Sequence, residues 1–288
     1  MMTSHRPQGE GRRPITVLVL AAQRDGVIDP LAARFGVSHK CLVPLCDQPL
    51  IAHVLLAVAA APQMQRILVS IDDPAVLDGV DVVQRLMAQG RLRIVQAQPS
   101  LADSVLHAAD AADFPLLITT ADNALFTPEA ITTMQDSMDA HAAAIGAAFA
   151  RKDAVLTAHP EGQRRFYRFA DDSYSNCNCY WIGGREALAA ANIFREGGQF
   201  AKHPARLARS FGIVNLILFR LGIGTLQQSF ARFSRRLRLR LEPVVFQDGA
   251  LAIDVDNDRT YAIVEDILKL RKLRRCNPQI SAISNIAA

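Results

Sequence analysis

Ile15 to Leu20 (ITVLVL) is an unbroken run of apolar and β-branched residues, and it constrains the chain more than any other stretch. A half-exposed strand would alternate apolar with polar residues. A run without that alternation suits a strand buried on both faces, as in a parallel sheet. Two small residues follow, Ala21 and Ala22. Next comes a polar loop with Gln23, Arg24, Asp25 and Gly26, and then a lone Lys40 before the apolar segment that leads to Ile51. Ligands of open α/β sheets sit beyond the carboxyl ends of the strands, so small residues and two cations placed there suit a phosphate-bearing ligand.

The first half of the chain repeats this theme. Apolar runs predict strands over Arg66 to Ile71, Leu92 to Gln96, Leu116 to Thr120 and Ala143 to Ala150. Between them the patterning predicts helices over Pro49 to Ala61, Pro74 to Gln89, Leu101 to Ala112 and Pro128 to Ala142. Their ends carry the matching signals, with Asp72 or Asp73 and Thr127 as caps and Gly90 as a stop. Such β-α alternation predicts a three-layer Rossmann-like α/β domain with a mostly parallel mixed sheet. Regularity ends at Arg151. From there to Asp172, arginines sit among aromatics with Gly and Pro between them, which suggests an antiparallel excursion. A strand is expected over Ser175 to Gly183, a short helix over Ala187 to Phe194, and late strands over Val244 to Phe246 and Ala250 to Val255. A last helix is expected over Asp258 to Arg275. The domain is therefore drawn as 15–275 with a cap inserted over about 151–245, a disordered 1–14 and a loose tail over 276–288.

Half of the 288 residues are hydrophobic, enough for a substantial core. A net charge of +4 is mild, and an aromatic share of 6% argues against a protein that stacks nucleic-acid bases. Of the five cysteines, Cys177 and Cys179 form a lone Cys-x-Cys pair. That supplies neither a disulfide framework nor the four ligands of a zinc site. No stretch reaches the roughly 20 apolar residues of a spanning helix, and the polar, basic start lacks the apolar core of a signal peptide. A cytoplasmic protein that does not bind nucleic acid is expected.

Leu20-Ala21-Ala22, Lys40, Leu42-Val43-Pro44-Leu45 and Gln48-Pro49-Leu50, taken in order, resemble the opening motif of a known family. It is that of the nucleotidyltransferases of the glycosyltransferase-A type, the group that includes the molybdenum cofactor guanylyltransferase-like proteins. Gln23 stands where that family has glycine, and His39, not proline, precedes the lysine. The resemblance covers Ile15 to Phe149 and Ala250 to Leu268, and the middle follows only in outline. It implies transfer of a nucleoside monophosphate from a triphosphate, with release of pyrophosphate and with magnesium as cofactor. Lys40 and Arg24 would then neutralise the transferring and leaving phosphates. Asp122, at the end of the fourth strand, maps to a magnesium ligand, Asp256 to a second, and Asp254 is a reserve; hard cations take oxygen ligands. The base would lie near Ala21, Ala22 and Gln23, with Gln96, Ser100 and Ser104 as further contacts. Read without the family, the same residues have other uses. Asp122 suits a helix cap, Asp254 and Asp256 a capping cluster for the last helix, Lys40 a solvated surface and Arg24 an ion pair with Asp25. In an extended segment Asp254 and Asp256 share one face.

Recognition of the acceptor falls to the irregular middle. Asn176 and Asn178 alternate onto one face of SNCNCYW, and paired amides suit a hydroxyl-bearing molecule. Arg164, Arg165 and Lys202 suit its phosphate. A phosphorylated sugar, polyol or lipid head-group precursor is the expected acceptor. From Phe211 to Leu241 apolar residues interleave with arginines. That pattern suits either a membrane surface or a lid helix followed by an Arg-Leu edge strand. Two other functions stay open. One is a nucleotide-sugar glycosyltransferase of the same fold, which usually carries Asp-x-Asp where this chain has Asp122-Asn123-Ala124. The other is a non-catalytic nucleotide-binding relative.

Overall fold

A computed structural model describes residues 12–23, 28–188 and 212–276. Ile15–Leu20 forms β1 at the heart of one sheet. β4 (Met64–Ile71) and β6 (Leu116–Thr120) flank it in parallel, and β5 (Leu92–Gln96) adds beyond β4. β9 (Ser173–Ile182) runs antiparallel between β6 and β7 (Ile145–Arg151). β10 (Leu241–Phe246) then pairs in parallel with β7 at the far edge. The order across the sheet is β10-β7-β9-β6-β1-β4-β5, with the short β8 (Tyr167–Arg168) on β9. A separate small hairpin joins β2 (Pro44–Leu45) to β3 (Gln48–Pro49).

Both faces of the sheet are covered, as the unalternating strands require. Val17 and Val19 of β1 enter a large cluster with α1 (Pro30–Arg34), α2 (Leu50–Ala60), α3 (Asp81–Ala88), α5 (Pro128–His141) and α9 (Asp258–Cys276). Leu18, pointing the other way, joins a smaller cluster with α4 (Leu101–Asp110). A third, aromatic cluster holds Phe149, Phe169, Tyr174 and Leu226 at the β7-β9 end. Apart from the segment Pro74 to Gln89, the strands and helices of the first half stand where the apolar runs and caps place them, and Thr127 caps α5 as read, accepting from the Ala130 N–H.

Five expectations need correction. The helix expected over Pro74 to Gln89 is a 3-10 turn, Pro74–Leu77, and then α3; Gly79 favours a break, and the extended Val80 lets both Leu77 and Val80 be buried. The antiparallel excursion after Arg151 begins instead with α6 (Lys152–Ala158), seven residues free of Gly and Pro that bury Val155. The Arg-Leu segment is not an edge strand up to Leu241. Thr225 opens α8 (Leu226–Leu237) with a capping box, and the helix ends at Arg238 in the left-handed region (φ 55°). Helical spacing wins there because it puts Leu226, Ser229 and Phe230 together against the sheet. Ala250 to Val255 is no strand either. Gly249–Ala252 is a buried 3-10 turn whose Asp248 side chain accepts from the Ala250 N–H. At the amino end, Arg12 and Arg13 pair with Asp136 and Asp139 of α5. The remainder of the expected disorder over 1–14, the tail beyond Cys276 and nearly all of the helix expected over Ala187 to Phe194 lie outside the described residues.

Gly249 seats its turn directly on α6. A Cβ there would stand 2.1 Å from the Ala154 carbonyl carbon and 2.3 Å from the Val155 nitrogen, backbone atoms that cannot rotate aside. Gly249→Ala is expected to destabilise the fold by roughly 1–3 kcal/mol. The sole tryptophan, Trp181, is fully buried and reports unfolding; an unchanged urea midpoint would refute the packing argument.

Candidate active site

The parallel strands end along one edge, and the segments that follow them meet there. The Ala21 N–H extends the β1-β4 ladder to the Ser70 carbonyl (2.8 Å), and the Ala121 N–H extends the β1-β6 ladder to that of Leu20 (2.9 Å). Asp122 follows at once, and its carbonyl accepts from the Val255 N–H (3.1 Å), which draws the segment before α9 to the same point. Lys40, in a 3-10 turn over Lys40–Leu42, reaches the same place. Its ammonium donates to Asp122 Oδ2 at 2.6 Å and to Asp256 Oδ1 at 2.9 Å. The side chains of Lys40 and Asp122 are each 20% exposed and that of Asp256 is 60% exposed.

Asp256 is available because its neighbour does the capping. Asn257 accepts from the Thr260 N–H, while the Thr260 hydroxyl accepts from the N–H groups of Asp256 and Asn257. The Asp256 N–H also approaches the Asp254 carbonyl at 3.1 Å, so the segment is tightly turned rather than extended. Strand alternation is therefore not what brings the two carboxylates together. Asp254 is buried beneath the site, and its Oδ2 accepts from Asn178 Nδ2 at 2.6 Å. Burial first, and then the charges of Asp122 and Asp256, push the Asp254 carboxyl well above its ordinary range. For Lys40, burial acts against the charge, but Asp122 and then Asp256 outweigh it and hold the ammonium above the ordinary lysine range.

Two carboxylate oxygens here, Asp122 Oδ1 and Asp254 Oδ1, are buried without a hydrogen-bond partner among the described residues. An unsatisfied buried acceptor is expensive, and a carboxylate more so. The donor set of hard, anionic oxygens therefore fits a magnesium ion. Among the described residues no three Asp, Glu, His or Cys side chains form a metal-binding group by themselves. A magnesium ion takes one or two protein carboxylates and completes its shell with phosphate oxygens and water.

On the other side of Lys40 stands a residue that sequence reading assigned only as a possible helix cap. Asp73 does the capping; Asp72 instead links three segments. Its Oδ1 accepts from the Gln23 N–H (3.2 Å), its Oδ2 meets His39 Nε2 (3.2 Å) and its carbonyl accepts from Gln96 Nε2 (2.8 Å). The available signal was position: Asp72 follows β4 as Asp122 follows β6. Ala21 is buried, Ala22 is exposed, and Gln23 Oε1 is buried without a partner among the described residues. The Ser104 hydroxyl is buried and occupied within its own loop, accepting from the Gln98 N–H and reaching the Ser100 carbonyl. Ser100 caps α4. Arg24 lies outside the described residues, as does Lys202.

Asn178 reaches the cluster from the middle of β9. The β7-β9 register slips between Ala147 and Phe149, and Asn178 adopts a left-handed backbone (φ 45°), which asparagine tolerates better than most residues. Asn176 supports it, its Oδ1 accepting from the Asn178 N–H (2.7 Å) and its Nδ2 donating to Tyr180 Oη (2.7 Å). Asn123, fully buried, donates to the Cys177 carbonyl and so ties this strand to the residue beside Asp122. Arg165 is exposed and Arg164 pairs with Glu161; neither hydrogen bond nor ion pair joins them to the cluster.

The model of the MobA-like NTP transferase domain matches residues 17–246. The chain belongs to that family. No curated protein matches it. Among solved structures, a hypothetical transferase from Thermus thermophilus is similar, with TM-score 0.70 and 24% identity, over 86% of this chain and 99% of that one. A CMP:2-keto-3-deoxy-manno-octonic acid synthetase complexed with CTP aligns with TM-score 0.53 and 16% identity, over 90% and 99%. A 4-diphosphocytidyl-2C-methyl-D-erythritol synthase from Anaerococcus prevotii aligns with TM-score 0.52 and 10% identity, over 89% and 96%. These likenesses show the fold. Family membership makes the chain a nucleotidyltransferase, with its Rossmann-like sheet carrying the Lys40 cluster at the carboxyl edge.

In this MobA-like chain the buried Asp254 is a liability to the fold. Its raised pKa means that the native state resists its ionisation, so its effect is nil below the ordinary carboxyl value of 3.8 and grows as the pH rises above it. Asp254→Asn keeps an acceptor for Asn178 and removes the charge. The variant is expected to melt above the parent at neutral pH, with the advantage disappearing near pH 3.8. Equal melting curves across the range would contradict the burial argument.

Proposed function

We propose that this nucleotidyltransferase moves a nucleoside monophosphate from a triphosphate to the phosphate of a small acceptor, a sugar, polyol or lipid head-group precursor, and releases pyrophosphate. The observation that supports the reading is the Lys40 ammonium lying between Asp122 and Asp256, with two unsatisfied carboxylate oxygens beside it. Asp122 and Asp256 would hold magnesium, with Asp254 behind them. That ion, when bound, neutralises phosphate charge.

The chain's own residues do the rest by position and charge. Phosphoryl and nucleotidyl transfers ask for little covalent work from the protein. Lys40 supplies a fixed positive charge for the transferring and leaving phosphates. An acceptor phosphate is already an anion, so its oxygen attacks the α-phosphorus in line without a general base. Ala21, Ala22, Gln23 and Gln96 border the space for the base, and Asp72 holds Gln23 and Gln96 in place. Asn178 and Asn176 present amides toward the acceptor side, oriented by Asp254 and Tyr180.

Pyrophosphate release is the decisive measurement, with each common nucleoside triphosphate tried against a panel of phosphorylated sugars and polyols. CTP heads the panel because one structural relative was solved with it. Asp122→Asn is expected to lower turnover by about 10²–10³-fold while the circular dichroism stays that of the parent. Full turnover in that variant would sink the assignment. Absence of turnover by the parent with every pair would favour the non-catalytic reading.

A further inference from the structure

The helical part of the cap carries a surface that nucleotide transfer does not use. α7 (Ile213–Arg220) precedes α8, with a tight turn between them. Val214, Ile217 and Leu221 fall at i, i+3 and i+7, so they form one stripe. They are 65%, 52% and 65% exposed, and Ile223 beside them is 49% exposed. The stripe is not needed to hold the helix. Phe219, on another face, packs against Phe169 and Tyr167 with ring centroids 5.6 and 5.9 Å away. α8 is anchored separately, through an edge-on contact of Phe230 with Phe149 and through Ser234, which bonds to Leu241 of β10.

Within the segment that carries this stripe the formal charges are of one sign. Residues 212–241 contain six arginines and no Asp or Glu, so with a whole-chain net charge of +4 the remainder of the chain is at −2. Arg220, Arg235, Arg238 and Arg240 are exposed. Arg236 sits beside Gly212 at the start of α7 and Arg168 beside Gly222 just past its end. We propose that this aliphatic stripe with its arginine border docks the protein on an anionic lipid surface. No helix among the described residues is long and apolar enough to cross a membrane, so the contact lies in the interface plane.

Three features favour lipid over other occupants. The exposed residues are aliphatic, which suits acyl chains, whereas nucleic-acid bases stack on aromatic rings. A symmetric pairing with a second copy would bring together two segments that each hold six arginines and no carboxylate of their own. Finally, the cluster that seats α7 includes Tyr174 of β9, two residues from Asn176. A docked cap would therefore hold the acceptor side of the site near the bilayer.

Sedimentation with vesicles of phosphatidylcholine, with and without added phosphatidylglycerol, tests the proposal without nucleotide. Its outcome is thus separate from that of the transferase reading. The full-length parent is expected to pellet with the anionic vesicles and not with the neutral ones, and less so at high salt. Arg235→Glu with Arg238→Glu is expected to cut the partition by more than tenfold, since each arginine near such a surface is worth about fivefold. Ile217→Asp with Leu221→Asp is expected to abolish it, with Trp181 fluorescence confirming the fold. Equal pelleting with both vesicle types, or none, overturns the proposal. So does a concentration-dependent dimer lost in the Ile217 and Leu221 variant without vesicle binding, which would assign the stripe to a second copy. Binding of nucleic acid lost in the arginine variant, again without vesicle binding, overturns it as well.

Discussion

One ammonium group set between carboxylates organises the functional edge of this protein. Lys40 joins Asp122, 82 positions away, to Asp256, 216 positions away. Partly buried carboxylates would repel one another and resist dehydration. The lysine makes their convergence tolerable, and in doing so it pulls three chain segments to one point. The balance is incomplete. Asp254 adds a third acid, and oxygens of Asp122 and Asp254 remain unsatisfied among the described residues. The edge is built with more negative charge than the protein itself neutralises, which is the electrostatic condition for receiving a cation and its phosphates.

The sheet explains why these groups can meet. β1, β4 and β6 run in parallel, so the segments after them emerge on the same side. Each contributes a residue there: Gln23 after β1, Asp72 after β4 and Asp122 after β6. β9 contributes differently. It runs against its neighbours and delivers Asn178 from its middle, through a register slip and a left-handed backbone. The strand thus crosses the site rather than ending at it. The glycine that the family places after its first strand is replaced by Gln23, whose N–H donates to Asp72. His39, in the place of proline, meets the other oxygen of the same carboxylate. Two departures in sequence therefore share one structural partner.

Legibility along the chain followed how local each signal was. Strands β1 and β6 end where their runs end, because burial on both faces leaves no room for charged residues within them. Thr127 and Gly90 marked helix ends through hydrogen bonding and backbone freedom that act within a few residues. The Arg-Leu alternation before Leu241 misled because leucine and arginine are good helix formers. A neighbouring sheet decided which period they obey. Ala250 to Val255 looked like a strand by composition, but Gly249 packs on Ala154 and opens a buried 3-10 turn capped by Asp248 there instead. Ser104 looked exposed to a ligand and is consumed by its own loop.

By itself the sequence determined the alternation of buried strands and helices, the family and the residue types at each strand end, because those depend on neighbours within a turn or two. Which of those residues share a site was decided only in three dimensions. The Lys40–Asp256 contact, the three-way role of Asp72 and the burial of Asp254 arise from strand order and from one antiparallel insertion. Nothing in a local window encodes them, since hydrogen bonds and Coulomb forces act through space between segments that the sheet alone brings together.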